Sequence, residues 1–134
     1  MLNIFNQTAL PALEQSAIFA QRRHNVLAGN MANIDTPGYQ ARDLSTDEFQ
    51  TALSEAIEAT RNPSPGYSSG DAADIDPMDG PRRAMENLLY HDGSEINLER
   101  QVTEIAKNQN LHNTAIALMK NQFETLRVAI SERV

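Results

Sequence analysis

The chain contains no cysteine and no tryptophan, only four phenylalanines and three tyrosines among 134 residues, and no long apolar run. Without cysteine there is no disulfide framework, no thiolate metal site and no thiol nucleophile. So few aromatics, with the apolar residues gathered toward the two ends, leave little material for a thick core and favour thin helix-on-helix packing. The first twenty residues, "MLNIFNQTALPALEQSAIFA", carry no basic stretch ahead of an apolar segment, and their longest apolar run is Ala17 to Ala20. They read as neither a cleavable signal nor a membrane span. Clustered Lys and Arg are also missing, which excludes a phosphate-seeking surface for nucleic acid. No Gly-rich phosphate loop, H-E-x-x-H, G-x-S-x-G or paired-carboxylate pocket is present, so the expectation is that the chain is not an enzyme and needs no cofactor.

The net charge of −7 is unevenly placed. Residues 1–42 and 96–134 each carry a net +1, and residues 43–95 carry −9. Nearly neutral ends suit segments that must lie against other chains without repulsion.

Both ends carry heptads. Leu10, Leu13, Ala17, Ala20, His24, Leu27, Met31 and Ile34 advance by alternating steps of three and four, an a/d stripe. Pro11 is acceptable in a first turn, where its missing N–H has no partner anyway, and Thr8 can cap just upstream. The spacing predicts a helix from about Pro11 to about Asn33. Near the other end Leu98, Val102, Ile105, Gln109, His112, Ile116, Met119, Phe123, Leu126 and Ile130 form a second stripe. Asn97 is the expected N-cap, Glu99 suits the first turn, and the helix is expected to run some 30 residues, about 45 Å at 1.5 Å per residue. Ile18, Val26, Leu111, Ala115 and Leu118 lie off these seams, so one partner helix leaves apolar surface uncovered and further partners are implied.

Between the ends, Ser45-x-x-Glu48 forms a capping box ahead of Phe49, Leu53, Ala56, Ile57 and Thr60 at helical spacing, predicting a short amphipathic helix. The stretch "NPSPGYSSGDAADIDPMDGPRR" holds four prolines, three glycines and four aspartates and reads as a flexible acidic loop. The expected fold class is therefore all-α, with two long terminal helices forming a coiled-coil hairpin. Residues 1–44 and 96–134 make one core domain, 45–61 a short helix, and 62–95 the loop.

Three side-chain groups invite a chemical reading. His24 and His112 fall on the seams, where a metal pair or pH switch competes with the plainer reading of polar residues that fix register. His91 adjoins Asp92 in a loop with no nucleophile at a recognisable spacing. Asp74, Asp76, Asp79, Gly80 and Glu86 nearly trace a calcium loop, but one inserted residue displaces the later ligands and Arg82 and Arg83 add positive charge. A solvated acidic loop is the expectation, with no metal.

The stretch from Asn30 to Leu44, "NMANIDTPGYQARDL", is an over-specified helix stop. Asn30 and Asn33 can cap carbonyls or turn left-handed, Pro37 biases Thr36 out of the helix, and Pro37-Gly38 fits a type II turn. Tyr39 can lay its ring on a helix while its hydroxyl finds a polar partner.

From Arg22 to Leu44, "RRHNVLAGNMANIDTPGYQARDL" resembles the N-terminal motif of bacterial flagellar rod and hook proteins, of the form N-[IL]-A-N-x-x-T-P-G-[YF]. Its T-P-G-Y-x-A-R-D form is similar to proximal rod members of that family. From Asp92 to Ile130 the chain is similar to the C-terminal segment of the same proteins, with a D-G, an A-K-N-Q stretch and a closing L-R-x-A-I. Gly29, Met31 and Ile34 depart from the usual pattern, and Gly29 within a helix costs about 1 kcal/mol relative to Ala. The resemblance implies a structural rod subunit that assembles through its terminal helices into a tubular drive shaft transmitting motor torque. It implies an assembly motif of Asn30, Asn33, Thr36, Pro37, Gly38 and Tyr39. Implied partners are further copies of itself, FlgC and other axial proteins, the MS-ring adaptor FliE, and the flagellar type III export apparatus. The implied location is the basal body rod in the periplasm, reached without a cleaved signal peptide. The competing reading is a soluble coiled-coil adaptor or export chaperone outside any filament, which would form a closed oligomer instead of non-closing contacts.

Overall fold

The computed structural model describes residues 8–62, 76–90 and 97–131. Their elements are α1 (Leu10–Ala32), β1 (Arg42–Leu44), α2 (Thr46–Arg61), α3 (Asp79–Ala84), β2 (Leu88–Tyr90) and α4 (Leu98–Ser131). No described helix is long and apolar enough to cross a membrane.

Local chemistry sets the helix ends. The Thr8 hydroxyl accepts the Leu10 N–H at 3.3 Å, and Pro11 sits in the first turn of α1, where its missing N–H costs nothing. The helix runs through Gly29 without interruption and stops where Asn33 gives its backbone N–H to the Gly29 and Asn30 carbonyls and its side-chain amide to Gly29 O at 2.8 Å. Ser45, in extended backbone, accepts the Glu48 N–H at 3.1 Å, with Asp47 and Glu48 at the positive end of the α2 dipole. Asn97 accepts the Glu99 N–H at 2.9 Å at the head of α4. At 34 residues, α4 spans about 51 Å.

α1 and α4 lie side by side and antiparallel: Asn30 meets Gln101, Arg23 meets Glu104, and Ala20 meets Asn108. A small core sits on another face of α1, where Phe19, Leu44, Phe49, Ala84 and Met85 pack together with Ala52 and Leu53 beside them. The Phe19 and Phe49 rings stack at 4.1 Å and 9° between planes. Each buried phenylalanine contributes roughly 1.5–3 kcal/mol, and the stack adds about 0.5–1.5 kcal/mol. These residues come from α1, β1, α2 and the end of α3, so the middle of the chain has its own packed nucleus.

Three expectations need correction. The chain is mostly helical but not all-α, because β1 and β2 pair antiparallel with Arg42 opposite Tyr90, Asp43 opposite Leu89 and Leu44 opposite Leu88. The 62–95 region is not loop throughout: Pro81, Ala84 and Met85 are buried against the core, and that apolar anchor fixes α3 and β2 despite the surrounding prolines and aspartates. Residues 63–75 and 91–96, including His91 and Asp74, lie outside the described residues.

The third correction concerns the face that α4 turns to α1. Its buried residues are Gln101, Asn108 and Ala115, with Ile105, His112, Ile116, Met119 and Leu126 half-buried. Leu98, Val102, Phe123 and Ile130, expected on the seam, stand 52, 50, 54 and 71% exposed. On α1, by contrast, Leu10, Ala17, Ala20 and Leu27 are buried and Leu13, His24 and Met31 half-buried, as is Ile34 just past its end. Part of the expected stripe of α4, Ile105, His112, Met119 and Leu126, is thus kept, while Gln101, Asn108 and Ala115 are buried in preference to their neighbours Val102, Gln109 and Ile116 one position on. The reason is hydrogen bonding: Asn108 donates to Ala20 O at 2.7 Å, and Gln101 Oε1 accepts from the Asn30 amide at 3.5 Å. His24 and His112 do not face each other, because the register puts His112 opposite about residue 16, roughly two turns from His24.

Candidate assembly site at the turn after α1

Asn30 organises the turn. It is 1% exposed, and its amide pairs with Arg42 as a neighbouring strand would, donating to Arg42 O at 2.6 Å and accepting from Arg42 N–H at 3.0 Å. The same Oδ1 accepts the Tyr39 hydroxyl at 3.2 Å, and the Nδ2 reaches Gln101 Oε1 at 3.5 Å. One side chain therefore holds the turn, the start of β1 and the head of α4. Buried amides in a helix cost free energy unless satisfied, and here both ends of the group are occupied.

The intervening turn follows from its residues. Tyr39 N–H donates to Thr36 O at 3.2 Å, Pro37 fixes the second position, and Gly38 takes φ +74°, the type II pattern that glycine alone adopts without strain. Thr36 N–H donates to Asn33 O at 3.0 Å, so Asn33 links the helix end to the turn. Asn33 caps carbonyls and does not turn left-handed; its φ is −110°. Thr36, Pro37 and Gly38 are exposed, whereas Asn30 is buried and Asn33 and Tyr39 are half-buried. The six motif residues thus divide into an internal frame and an outward-facing tip.

Beside this frame sits a charged cluster that sequence reasoning did not single out. Arg23, 7% exposed, donates Nε to Asp43 Oδ1 at 2.8 Å and Nη2 to Asp43 Oδ2 at 2.7 Å, a two-point fork, and Nη2 also reaches Glu104 Oε2 at 2.8 Å. It ties α1, β1 and α4 together. Its hydrogen bond to Asp43 is the main cause of a pKa raised above the ordinary arginine value, against the opposing effect of burial. Lys107, at 3.0 Å, and then Arg23 hold the Glu104 carboxyl below the usual glutamate range. Arg23 and Asp43 both fall within the motif stretch, but Arg23 lies one position off the apolar stripe, and nothing local says that a residue 20 positions away will meet it. Gln101, Asn108 and Ala115 recur at intervals of seven, and the two amide members are what a search for apolar spacing passes over.

Nothing in the rest of the described chain gathers chemistry of another kind. Asp76 and Asp79 both accept from Arg82, which occupies the carboxylates a calcium ion would need. The Asp76 carboxyl is held below its ordinary value first by the Met78 N–H and then by Arg82. No group of three or more possible metal ligands occurs among the described residues.

The helix end and turn coincide with a sequence match: residues 7–40 fit the family described as flagella basal body rod protein. Relatives match far beyond that stretch. The flagellar basal body rod protein FlgB of Bacillus subtilis is 25% identical over 130 residues, covering 97% of this chain and 98% of its own. Along nearly its whole length the chain is similar to flagellar basal body rod proteins. The FlgB of Yersinia ruckeri is 26% identical over 92% of this chain and 94% of its own, and that of Aquifex aeolicus 28% identical over 86% of each. Because these alignments run nearly end to end, the rod relatives share with this chain the region of α4 and the central elements as well as the motif.

Proposed function

We propose that the chain is a structural subunit of the proximal rod of the bacterial flagellar basal body, of the FlgB type. The observation that carries this is the near full-length similarity to FlgB proteins from distant bacteria. The work of such a subunit is mechanical. Long helices packed side by side resist twisting when load is spread over many contacts, and this is how the assembled rod transmits motor torque. Two features support it: the apolar row Leu98, Val102, Phe123 and Ile130 is left uncovered by α1, and the exposed Thr36-Pro37-Gly38 tip rests on a rigid frame. The row and tip are docking surfaces for neighbouring subunits. In this reading the neighbours are further copies, FlgC and other axial proteins, and the adaptor FliE. The flagellar type III export apparatus delivers the chain to the periplasmic rod. The test is a chromosomal deletion complemented by an epitope-tagged chain, followed by purification of hook–basal bodies. The expected result is loss of motility on deletion, its recovery on complementation, and the tag in the purified particles. Motile deletion cells whose basal bodies lack the tag on complementation would overturn the reading.

A further inference from the structure

A cleft of about 150 Å³ opens beside the Arg23 cluster, lined by Arg42, Asp43, Arg100, Gln101 and Glu104 together with Asn30 and Leu27. Its floor is the Arg23 network, in which one guanidinium faces two carboxylates. The guanidinium groups of Arg42 and Arg100 and the Gln101 Nε2 have no hydrogen-bond or ion-pair partner among the described residues. Two free cations and a free amide donor thus surround a polar hollow. Asp43 and Glu104 offset Arg23 and leave the whole site at about +1. A carboxylate matches the sign of that charge and the geometry of the guanidinium donors.

Matching groups stand on another element of the same chain. Asp47, Glu48, Glu55 and Glu58 on α2 are all exposed, and none has an ion pair among the described residues. Glu48, Glu55 and Glu58 recur at intervals of seven and three, which sets them along one side of the helix. α2 keeps its apolar side on the core through Phe49 and Ala56, so this acidic side is free to meet another molecule.

Resting on the rod-subunit reading, we propose that the cleft between Arg42 and Arg100 is a carboxylate socket that receives the acidic side of α2 from a second copy of this chain. Socket and ligand lie on different surfaces, so the contact is heterologous and adds subunits head to tail without closing a dimer. It gives the polymer a register set by charge, and it makes use of the acidity that the middle of the chain carries between two nearly neutral ends.

The test is a charge exchange in cells deleted for the chain. Arg42→Glu with Arg100→Glu, and separately Glu55→Arg with Glu58→Arg, are expected to lose motility and incorporation into purified basal bodies. The combined fourfold exchange is expected to recover both. The milder Arg42→Gln with Arg100→Gln should lose incorporation while keeping the helical circular dichroism of the wild-type monomer, which separates a contact effect from misfolding. If the glutamine pair incorporates normally, or the fourfold exchange is as defective as either half, the socket is overturned while the wild-type chain's presence in the particle keeps the rod reading intact. A wild-type chain absent from basal bodies overturns the rod reading itself.

Discussion

Asn30 holds Arg42 by both backbone groups, 12 residues along the chain, with an amide 1% exposed. The pairing fixes how the chain leaves α1, because the same amide also takes the Tyr39 hydroxyl. Asn30→Asp keeps the acceptor but puts a buried carboxylate against the Arg42 carbonyl. Asn30→Ala strands a buried N–H and a hydroxyl. Either change should lower monomer stability by about 1–3 kcal/mol, read from urea unfolding. A loss under about 0.5 kcal/mol in both would mean that the turn holds without this amide.

Arg23 joins three elements through a planar fork that lysine cannot reproduce. Arg23→Lys should cost about 1 kcal/mol, and Arg23→Ala about 2 kcal/mol, since Asp43 and Glu104 keep some solvent to soften the loss. A double-mutant cycle with Asp43→Asn isolates the fork. A coupling energy indistinguishable from zero would make the contact a bystander.

Glu104 predicts the direction of a pH effect. Its carboxyl is held below its ordinary value by Lys107 and then Arg23. A depressed folded-state value means stability that is present above the unfolded value, about 4.3, and is lost as pH falls through the lower folded value. The group is partly exposed, so the effect is less than about 1 kcal/mol. Comparing urea midpoints from about pH 5 to about pH 3, Glu104→Gln should fall less steeply than wild type. Parallel curves would contradict this.

Helix caps, Ser45 at the head of α2 among them, and the type II turn were legible because each depends on residues within four positions of one another. The positions of α1 and α2 and the start of α4 followed from the same local signals to within a residue or two. The inward face of α4 was only half legible: Ile105, His112, Met119 and Leu126 are half-buried, whereas Leu98, Val102, Phe123 and Ile130 stay exposed. An apolar stripe says which side avoids water in the final assembly, not which side meets the nearest helix of the same chain. Asn108 and Gln101 win that side through hydrogen bonds to α1, a choice made across more than 70 residues of sequence. α3 and β2 were missed for the opposite reason. Pro81, Gly80 and the aspartates look like loop, and only the buried Ala84 and Met85 anchor them. The frame of the candidate site was half legible: Asn30 and Tyr39 stood out, while Arg23 and Glu104 come together only through the fold.

Gly29 offers a gain. A Cβ built there meets nothing within 4 Å, its backbone is helical, and the helix passes through it. Gly29→Ala should stabilise the monomer by about 0.5–1 kcal/mol by reducing unfolded-state freedom. Unchanged or lower stability by urea unfolding would show that the helix end needs the glycine for another reason.

The exposed row on α4 separates folding from assembly. Val102 stands 50% exposed and Phe123 54%, the latter toward the far end of a helix of 34 residues. In a self-contained hairpin, replacing such residues with a charge would loosen the helix pair. Here α1 is held by Asn108, Gln101 and Arg23 instead, so Val102→Asp with Phe123→Asp should shift monomer stability by less than about 0.5 kcal/mol per site. Against a neighbouring subunit the same aspartates would be buried without a partner, at several kcal/mol each, and rods should not form. The two measurements are a urea titration of the monomer and a count of tagged chain in purified basal bodies. A destabilised monomer would place the row inside the folded unit, and a stable monomer that still builds rods would leave the row without a role in assembly.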